Sequence, residues 1–105
     1  MNEEQFLYLT TTGRKTGAPR EIEIWLTYLG QRYYLIAEQK ERANWVQNIL
    51  HQPRISFRIS NQIFSGTGRM VNEAIEYELL KSVRALSEQK YGWSEGLVVE
   101  LTADE

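Results

Sequence analysis

The stretch TTTGRKTGAPREIEIWLTYL, from Thr10 to Leu29, joins a glycine-bracketed cationic loop to a run in which apolar and polar residues alternate. This alternation has the period of a β-strand with one buried face. The segment before the loop is apolar and then threonine-rich, which also favours a strand. We therefore predict strands over residues 6–12 and 21–29, connected by the loop. The face that the second strand would bury carries Ile22, Ile24, Leu26 and Tyr28.

The loop itself has the composition of a phosphate-binding site. Glycines permit positive φ angles and close approach of the backbone to a ligand. The two arginines offer planar forks suited to phosphate oxygens, and the lysine adds a point charge beside a threonine hydroxyl. A solvated connection made of ordinary loop residues is the alternative. The residues that would bind a phosphorylated cofactor are Gly13, Arg14, Lys15, Thr16, Gly17 and Arg20.

The rest of the chain adds four strands. Gly30-Gln31 and Asn61-Gln62 are turn sequences, each placed between two β-favouring runs, so each predicts a hairpin. Gly66 and Gly68 interrupt one of these runs, which suggests a bulge or a barrel corner. In total, the predicted strands are residues 6–12, 21–29, 33–37, 54–59, 63–71 and 97–101.

Two helices interrupt these strands. The first covers about residues 42–50, where apolar side chains recur at four-residue spacing until Pro53 ends the pattern. The second is predicted to follow Asn72 as its N-cap. Its buried stripe would be Ile75, Leu79, Val83 and Leu86. The predicted fold class is α+β and β-rich, an antiparallel barrel-like sheet with both helices packed outside.

Length and composition exclude several function classes. The 105 residues predict one domain, residues 1–105, and a net charge of −2 gives no general attraction to nucleic acid. The chain has no cysteine and one histidine, His51, which excludes thiolate and multi-histidine metal sites and a cysteine nucleophile. No stretch has the form of a membrane span or a signal peptide. We expect a cytoplasmic protein without a metal, a nucleic-acid partner or a membrane anchor.

Several separated motifs resemble the deazaflavin-dependent nitroreductase family, one of the flavin- and deazaflavin-binding split β-barrels related to pyridoxamine-phosphate oxidase. The resemblance runs in order from Leu9 to about Leu101 and is strongest from Thr10 to Arg54. The motifs are Thr12-Gly13-Arg14-Lys15-Thr16-Gly17, Arg20, Glu21-Ile22-Glu23-Ile24-Trp25, Tyr34-Leu35, Ala43-Asn44-Trp45-Val46-Gln47-Asn48-Ile49 and Pro53-Arg54-Ile55.

The resemblance implies a split β-barrel of about six strands that binds a deazaflavin, coenzyme F-420, or FMN. It assigns the cofactor phosphate to the loop from Gly13 to Gly17 and to Arg20, with Trp45 and Asn48 of the first helix completing the site. Both cofactors present a phosphate on a ribityl chain, so both fit the loop. Relatives often hold the cofactor beside a subunit boundary, and the resemblance therefore also implies a homodimer.

Two segments depart from the better-known members of that family. Residues 38–43 read Glu-Gln-Lys-Glu-Arg-Ala where those members carry small residues and glycine before a proline. Glu23 and Ile24 replace a proline and a leucine. These differences indicate a distinct subgroup. The chain also begins almost on the first strand, so we expect a pocket that is more open, or covered by a second subunit.

The reaction implied is hydride transfer from the bound cofactor to a quinone or a nitroaromatic compound, with the protein supplying binding, orientation and electrostatics. Tyr91 and Tyr28 are the candidate catalytic residues, with Tyr34 as a third, because a hydroxyl can donate to charge that develops on a substrate oxygen. Trp25 and Trp93 are candidate walls for a planar ligand. Two alternatives remain: a non-catalytic split barrel that holds a flavin or another planar anion, and a purely structural dimer.

Overall fold

The computed structural model describes residues 6–104, which form an antiparallel sheet of seven strands with two α-helices. The strands are β1 (Phe6–Thr12), β2 (Pro19–Trp25), β3 (Thr27–Leu29), β4 (Arg32–Ala37), β5 (Arg54–Ile59), β6 (Gln62–Met70) and β7 (Leu97–Ala103). The helices are α1 (Asn44–His51) and α2 (Tyr77–Tyr91), and a short 3-10 helix, Lys40–Arg42, precedes α1. The α+β, β-rich class predicted from the sequence is confirmed.

The strand order explains how the sheet curls into a barrel with a split. The order is β2-β1-β5-β6-β7-β4-β3, and all neighbouring strands are antiparallel. The two edge strands, β2 and β3, are separated in the chain by Leu26 alone, so the edges of the sheet must meet there. Within residues 6–104, β2 makes no ladder with β4. The gap between these two strands is the split in the barrel.

The prediction of one strand over residues 21–29 is wrong, because the strand breaks at Leu26. Leu26 belongs to the interior cluster, whereas Thr27 is buried on the other face of the sheet, opposite Tyr34 of β4, so the alternation continues through the break. Ile22 and Ile24 are half-buried against the interior cluster, and Tyr28 lies on the same face, opposite Tyr33, but it is 54% exposed and not buried as predicted. A single strand could not lie on both edges of the sheet, and the break accordingly gives seven strands where six were predicted.

The barrel interior holds the larger of two apolar clusters. Alternate residues of four strands supply it, and each is at most 1% exposed: Leu7, Leu9, Leu35, Phe57, Val99 and Leu101. Helix α1 packs against this cluster through Val46 and Ile49. Gly68 admits Ile49, since a Cβ there would lie 3.3 Å from its Cδ1 atom. A Cβ on Gly66 would lie 2.1 Å from the Thr102 carbonyl oxygen, so glycine also allows the close approach of β6 and β7.

Helix α2 covers the outer face of the sheet at β4 and β7, where it forms a second apolar cluster. It begins at Tyr77, later than predicted, because Asn72 closes a separate turn by accepting from the backbone N–H groups of Ala74 and Ile75. Ile75 is therefore 81% exposed, and the predicted stripe is wrong at that position. The residues that α2 buries are Leu80, Val83 and Ser87.

No helix in the described part of the chain is long and apolar enough to cross a membrane.

A network of ion pairs fastens the start of α2 to the sheet. Arg69 of β6 donates to Glu100 of β7 at 2.8 Å, and to both carboxylate oxygens of Glu76 at 2.9 and 2.6 Å. The hydrogen bonds from Arg69 lower the pKa of Glu76 to about 2. The Tyr34 hydroxyl donates to Glu100 at 2.8 Å, and burial, followed by this bond, raises the pKa of Tyr34 to about 12. Tyr34 is 3% exposed and belongs to the core under α2.

Candidate functional site

A polar groove of about 560 Å³ lies between the β1–β2 loop and α1. Its lining includes three cations, Arg14, Lys15 and Arg20, and one carboxylate, Glu21. Within residues 6–104, none of the three cations has a carboxylate oxygen within 4.0 Å. The groove therefore carries positive charge without a partner in the described chain, and this favours a bound anion.

The loop folds back on itself as a tight turn. The Gly13 N–H donates to the Ala18 carbonyl at 2.8 Å, and the Gly17 N–H donates to the Gly13 carbonyl at 2.7 Å. A Cβ on Gly13 would lie 3.1 Å from the Ala18 oxygen, so the close packing favours glycine there. Gly17 has a φ of 76°, which favours glycine for conformational reasons. The Thr16 hydroxyl accepts from the Ala18 N–H at 3.2 Å.

Arg14 lines the groove, but its side chain fastens the loop to α1. Its Nη1 donates to Asn48 Oδ1 at 2.9 Å, and its Nη2 donates to Asn44 Oδ1 at 3.3 Å. Asn48 is 4% exposed, accepts also from the Arg14 backbone N–H, and donates to Thr11 Oγ1 at 3.0 Å. By contrast, the Lys15 and Arg20 side chains make no hydrogen bond within the described residues. These two cations are therefore the ones left for a ligand.

The sequence analysis did not include Thr11 or Asn44 in the site. Both act through hydrogen bonds to residues 30 to 37 positions away, which no local spacing reveals. Asn44 is also the first residue of α1 and lies beside Trp45 in the groove lining. Ala43 precedes the helix as its N-cap, and its side chain makes no capping hydrogen bond. The first amides of α1 thus add the positive end of the helix dipole.

A second, apolar cleft of about 960 Å³ occupies the split in the barrel. Its lining comes from the start of β1, β2, the end of β4 and the residues after it, the start of α1 and the segment after α2. The aromatic side chains in it are Phe6, Trp25, Trp45 and Trp93. Glu23 and Glu38, both solvent-exposed, are its carboxylates. A cleft of this size and lining suits a planar apolar ligand.

Trp25 is held in the cleft wall by two aromatic contacts. Tyr91 stacks on it with ring centroids 4.5 Å apart and planes at 10°, and Trp93 meets it edge-on at 6.3 Å. The Tyr91 hydroxyl donates to the Leu26 carbonyl at 2.5 Å. Trp25 keeps 44% of its surface exposed. Tyr91 is not among the residues lining either cavity, so its position suits it to orient Trp25.

Tyr28 lies apart from the groove and the cleft. It is on β3, and its ring packs against Tyr33 with centroids 5.0 Å apart. The structure therefore does not bring the two candidate catalytic tyrosines together: Tyr28 is solvent-exposed beside Tyr33, and the Tyr91 hydroxyl is bound to the backbone. A catalytic role for either tyrosine stays a prediction.

The polar groove and the apolar cleft are continuous, since Ile22, Asn44 and Trp45 line both. Together they form one elongated site with a cationic end and an aromatic end. The cationic end offers Lys15 and Arg20 side chains, which match phosphate oxygens. The aromatic end offers flat apolar surface. This donor set fits the ribityl phosphate and the ring of a flavin or deazaflavin.

Comparison with known proteins adds a family match. A family model described as F420H(2)-dependent quinone reductase matches residues 1–96. A search of curated proteins gives no match.

Solved structures show a similar fold at low sequence identity. The F420-H2 dependent reductase FDR-A is 17% identical with a TM-score of 0.72, and the alignment covers 92% of each chain. The heme storage protein HutZ from Vibrio cholerae is 17% identical with a TM-score of 0.79, covering 98% of this chain and 84% of that one. A protein provisionally called a pyridoxamine 5′-phosphate oxidase, from Listeria innocua, is 12% identical with a TM-score of 0.68, covering 96% and 85%. At these identities the likeness concerns the fold alone.

Proposed function

The chain belongs to the F420H(2)-dependent quinone reductase family, a family of oxidoreductases, and from this we propose that it binds a reduced deazaflavin in the elongated site and reduces quinone-like acceptors. The observation that carries the proposal is the continuity of a cationic groove with an aromatic cleft. A deazaflavin is preferred to FMN because the family depends on one.

Lys15 and Arg20 are the residues proposed to bind the cofactor phosphate. Their side chains have no partner among residues 6–104, whereas Arg14 is already bound to Asn44 and Asn48. A charge-assisted hydrogen bond to phosphate is stronger than a neutral one. Gly13, Thr16 and Gly17 would shape the loop, and Asn48 would hold it against α1. Among the predicted cofactor-binding residues, Lys15 and Arg20 would thus contact the phosphate, and the other loop residues and Asn48 would hold the loop in position.

The aromatic end is proposed to bind and orient the planar groups. Trp45 lies at the junction of groove and cleft, and Trp25 and Trp93 form a wall beyond it. When bound, the reduced deazaflavin supplies a hydride for the acceptor. The chain contributes by stacking flat rings against its tryptophans, which fixes their separation and angle. Tyr91 contributes indirectly, by holding Trp25.

The volume of the cleft is large enough for the acceptor that an enzyme must bind beside the cofactor ring. At about 960 Å³ the cleft is at the upper end of the usual range for small-molecule sites, roughly 300–1,000 Å³. A planar ring would leave space beside it for a second molecule. A protein that only holds a ligand needs no such space.

The proposal is tested by fluorescence titration of the protein with oxidised F-420 and, separately, with FMN. We compare the wild type with Lys15→Gln, Arg20→Gln and the double variant. Each single change should raise the Kd for F-420 about tenfold, since a hydrogen bond to a charged group contributes about 1.5–3 kcal/mol. Lys81→Gln is the matched control, because Lys81 is an exposed cation on α2 that lines neither cavity.

The same titration and a turnover assay can contradict the proposal in separate ways. Unchanged affinity in the double variant would mean that the phosphate binds elsewhere. Binding of FMN without binding of F-420 would overturn the choice of cofactor. Reduction of menadione by reduced F-420 then tests catalysis. Tight cofactor binding without turnover would favour the alternative of a non-catalytic binding module.

A further inference from the structure

The elongated site is polarised in charge along its length. Its groove end carries three cations, Arg14, Lys15 and Arg20, against one carboxylate, Glu21. Its cleft end carries the carboxylates Glu23 and Glu38, and among residues 6–104 no lysine, arginine or histidine lines it. A ligand that lies along the site therefore meets positive charge at one end and negative charge at the other.

The two carboxylates flank the cleft from opposite sides of the split. Glu23 is on β2, between the half-buried Ile22 and Ile24, and Glu38 directly follows β4. Neither has an ion-pair partner in the described part of the chain. Lys90 is the cation found against the aromatic wall, 5.3 Å from the centroid of the Tyr91 ring, and it does not line the cleft.

We propose that Glu23 and Glu38 select acceptors by charge. Flat apolar acceptors that are neutral or cationic enter the cleft, and acceptors that carry a sulfonate or carboxylate are disfavoured. The proposal rests on the proposed function, since it takes the cationic end as the place of the cofactor phosphate. The physical reason is that an anionic acceptor would bring its charge into the field of two like charges, whereas a neutral acceptor meets no such repulsion.

The same charges oppose the reversed orientation of the cofactor, with its phosphate in the cleft and its ring in the groove. A phosphate placed in the cleft would lie near Glu23 and Glu38 and lose the cations of the groove. The two ends thus act together, one by attraction and the other by repulsion. Charge polarity accordingly specifies both the direction of the cofactor and the class of acceptor.

All three tryptophans of the chain line this cleft, which gives a direct readout of acceptor binding. We measure quenching of tryptophan fluorescence by 1,2-naphthoquinone and by its 4-sulfonate, in protein without cofactor. The pair shares a ring system and differs by one negative charge. We compare the ratio of the two Kd values between the wild type and the variants. Differences in size and polarity between the two quinones affect every protein equally and therefore cancel in this comparison. The variants are Glu23→Gln, Glu38→Gln and the double change.

The ratio of the Kd of the 4-sulfonate to the Kd of the neutral quinone should fall about fivefold to tenfold in the double variant, the effect expected when like charges near a surface are removed. High salt should reduce the wild-type ratio in the same way, because the screening length falls from about 10 Å at 0.1 M to about 3 Å at 1 M. Glu78→Gln, which removes an exposed carboxylate of α2 that does not line the cleft, should leave the ratio unchanged.

A Kd ratio that is the same in the wild type and the double variant would overturn the proposal. This outcome is distinct from failure of the proposed function. Loss of F-420 binding or of menadione reduction contradicts the function, while the quenching ratio is measured without cofactor or turnover. With active enzyme, kcat/KM for the two quinones should show the same variant dependence as the Kd ratio.

Discussion

Asn48 connects three parts of the site through one side chain. Its Oδ1 accepts from the backbone and the guanidinium of Arg14, and its Nδ2 donates to the Thr11 hydroxyl. The residue is 4% exposed, so these bonds replace water that has been removed. The loop, β1 and α1 are therefore fixed relative to one another by a buried amide.

Replacing Asn48 with alanine should lower the free energy of unfolding by about 1–3 kcal/mol, because it leaves the buried Thr11 hydroxyl without its partner. Urea denaturation of the wild type and the variant measures the difference. Asn44→Ala is the control: Asn44 is exposed and its Oδ1 accepts from Arg14 at 3.3 Å, so its loss should cost less. Equal effects of the two changes would contradict the importance given to Asn48.

At the level of elements, the start of α2 depends on charge rather than on a helix cap. Glu76 immediately precedes the helix, and its carboxylate accepts from Arg69 and from the Asn72 backbone N–H. Arg69 also binds the buried Glu100, so the network joins α2 to both β6 and β7. Ionised Glu76 therefore adds to the apolar cluster in holding the start of α2 on the sheet.

This network predicts an acid-dependent loss of stability. The pKa of Glu76 is lowered from 4.5 to about 2 in the fold, chiefly by its hydrogen bonds to Arg69. Its contribution is therefore fully present above about pH 4.5 and is lost as the pH falls toward about 2. Glu76→Gln should flatten the acid limb of stability against pH over this window. Urea unfolding at several pH values measures how stability depends on pH, with Glu78→Gln as the control. Parallel curves for the wild type and Glu76→Gln would contradict a role for Glu76 in acid stability.

At the scale of the whole molecule, the split that makes the site also exposes apolar surface. Phe6 and Trp25 are paired across β1 and β2, line the cleft, and are 41% and 44% exposed. Exposed apolar surface beside a binding cleft is typical of a surface that contacts another molecule. A second subunit would cover it, which is consistent with the homodimer that the family resemblance implies.

We expect a dimeric mass by sedimentation equilibrium at micromolar concentration. Phe6→Ser should shift the equilibrium toward monomer, because it removes apolar surface from the cleft rim. Ile63→Ser is the matched control, since Ile63 is 75% exposed on β6 but does not line the cleft. A monomeric wild type would contradict the prediction, and equal effects of the two changes would place the interface elsewhere.

The sequence by itself determined the local features of this protein. Period-two alternation predicted the strands, four-residue spacing predicted α1, and the composition of the Gly13–Arg20 loop indicated an anion site. These properties depend on neighbours in the chain. Lys15 and Arg20 of this loop line the groove beside α1.

Only the tertiary structure decided how these parts combine. The break at Leu26 follows from the two edges of one sheet meeting, which an alternating pattern does not encode. The structure also assigned Arg14 to the Asn48 network and the Tyr91 hydroxyl to Leu26, through contacts 34 and 65 residues apart in the chain. Such contacts form because the chain folds back on itself, so residues that share no local pattern come to share one site.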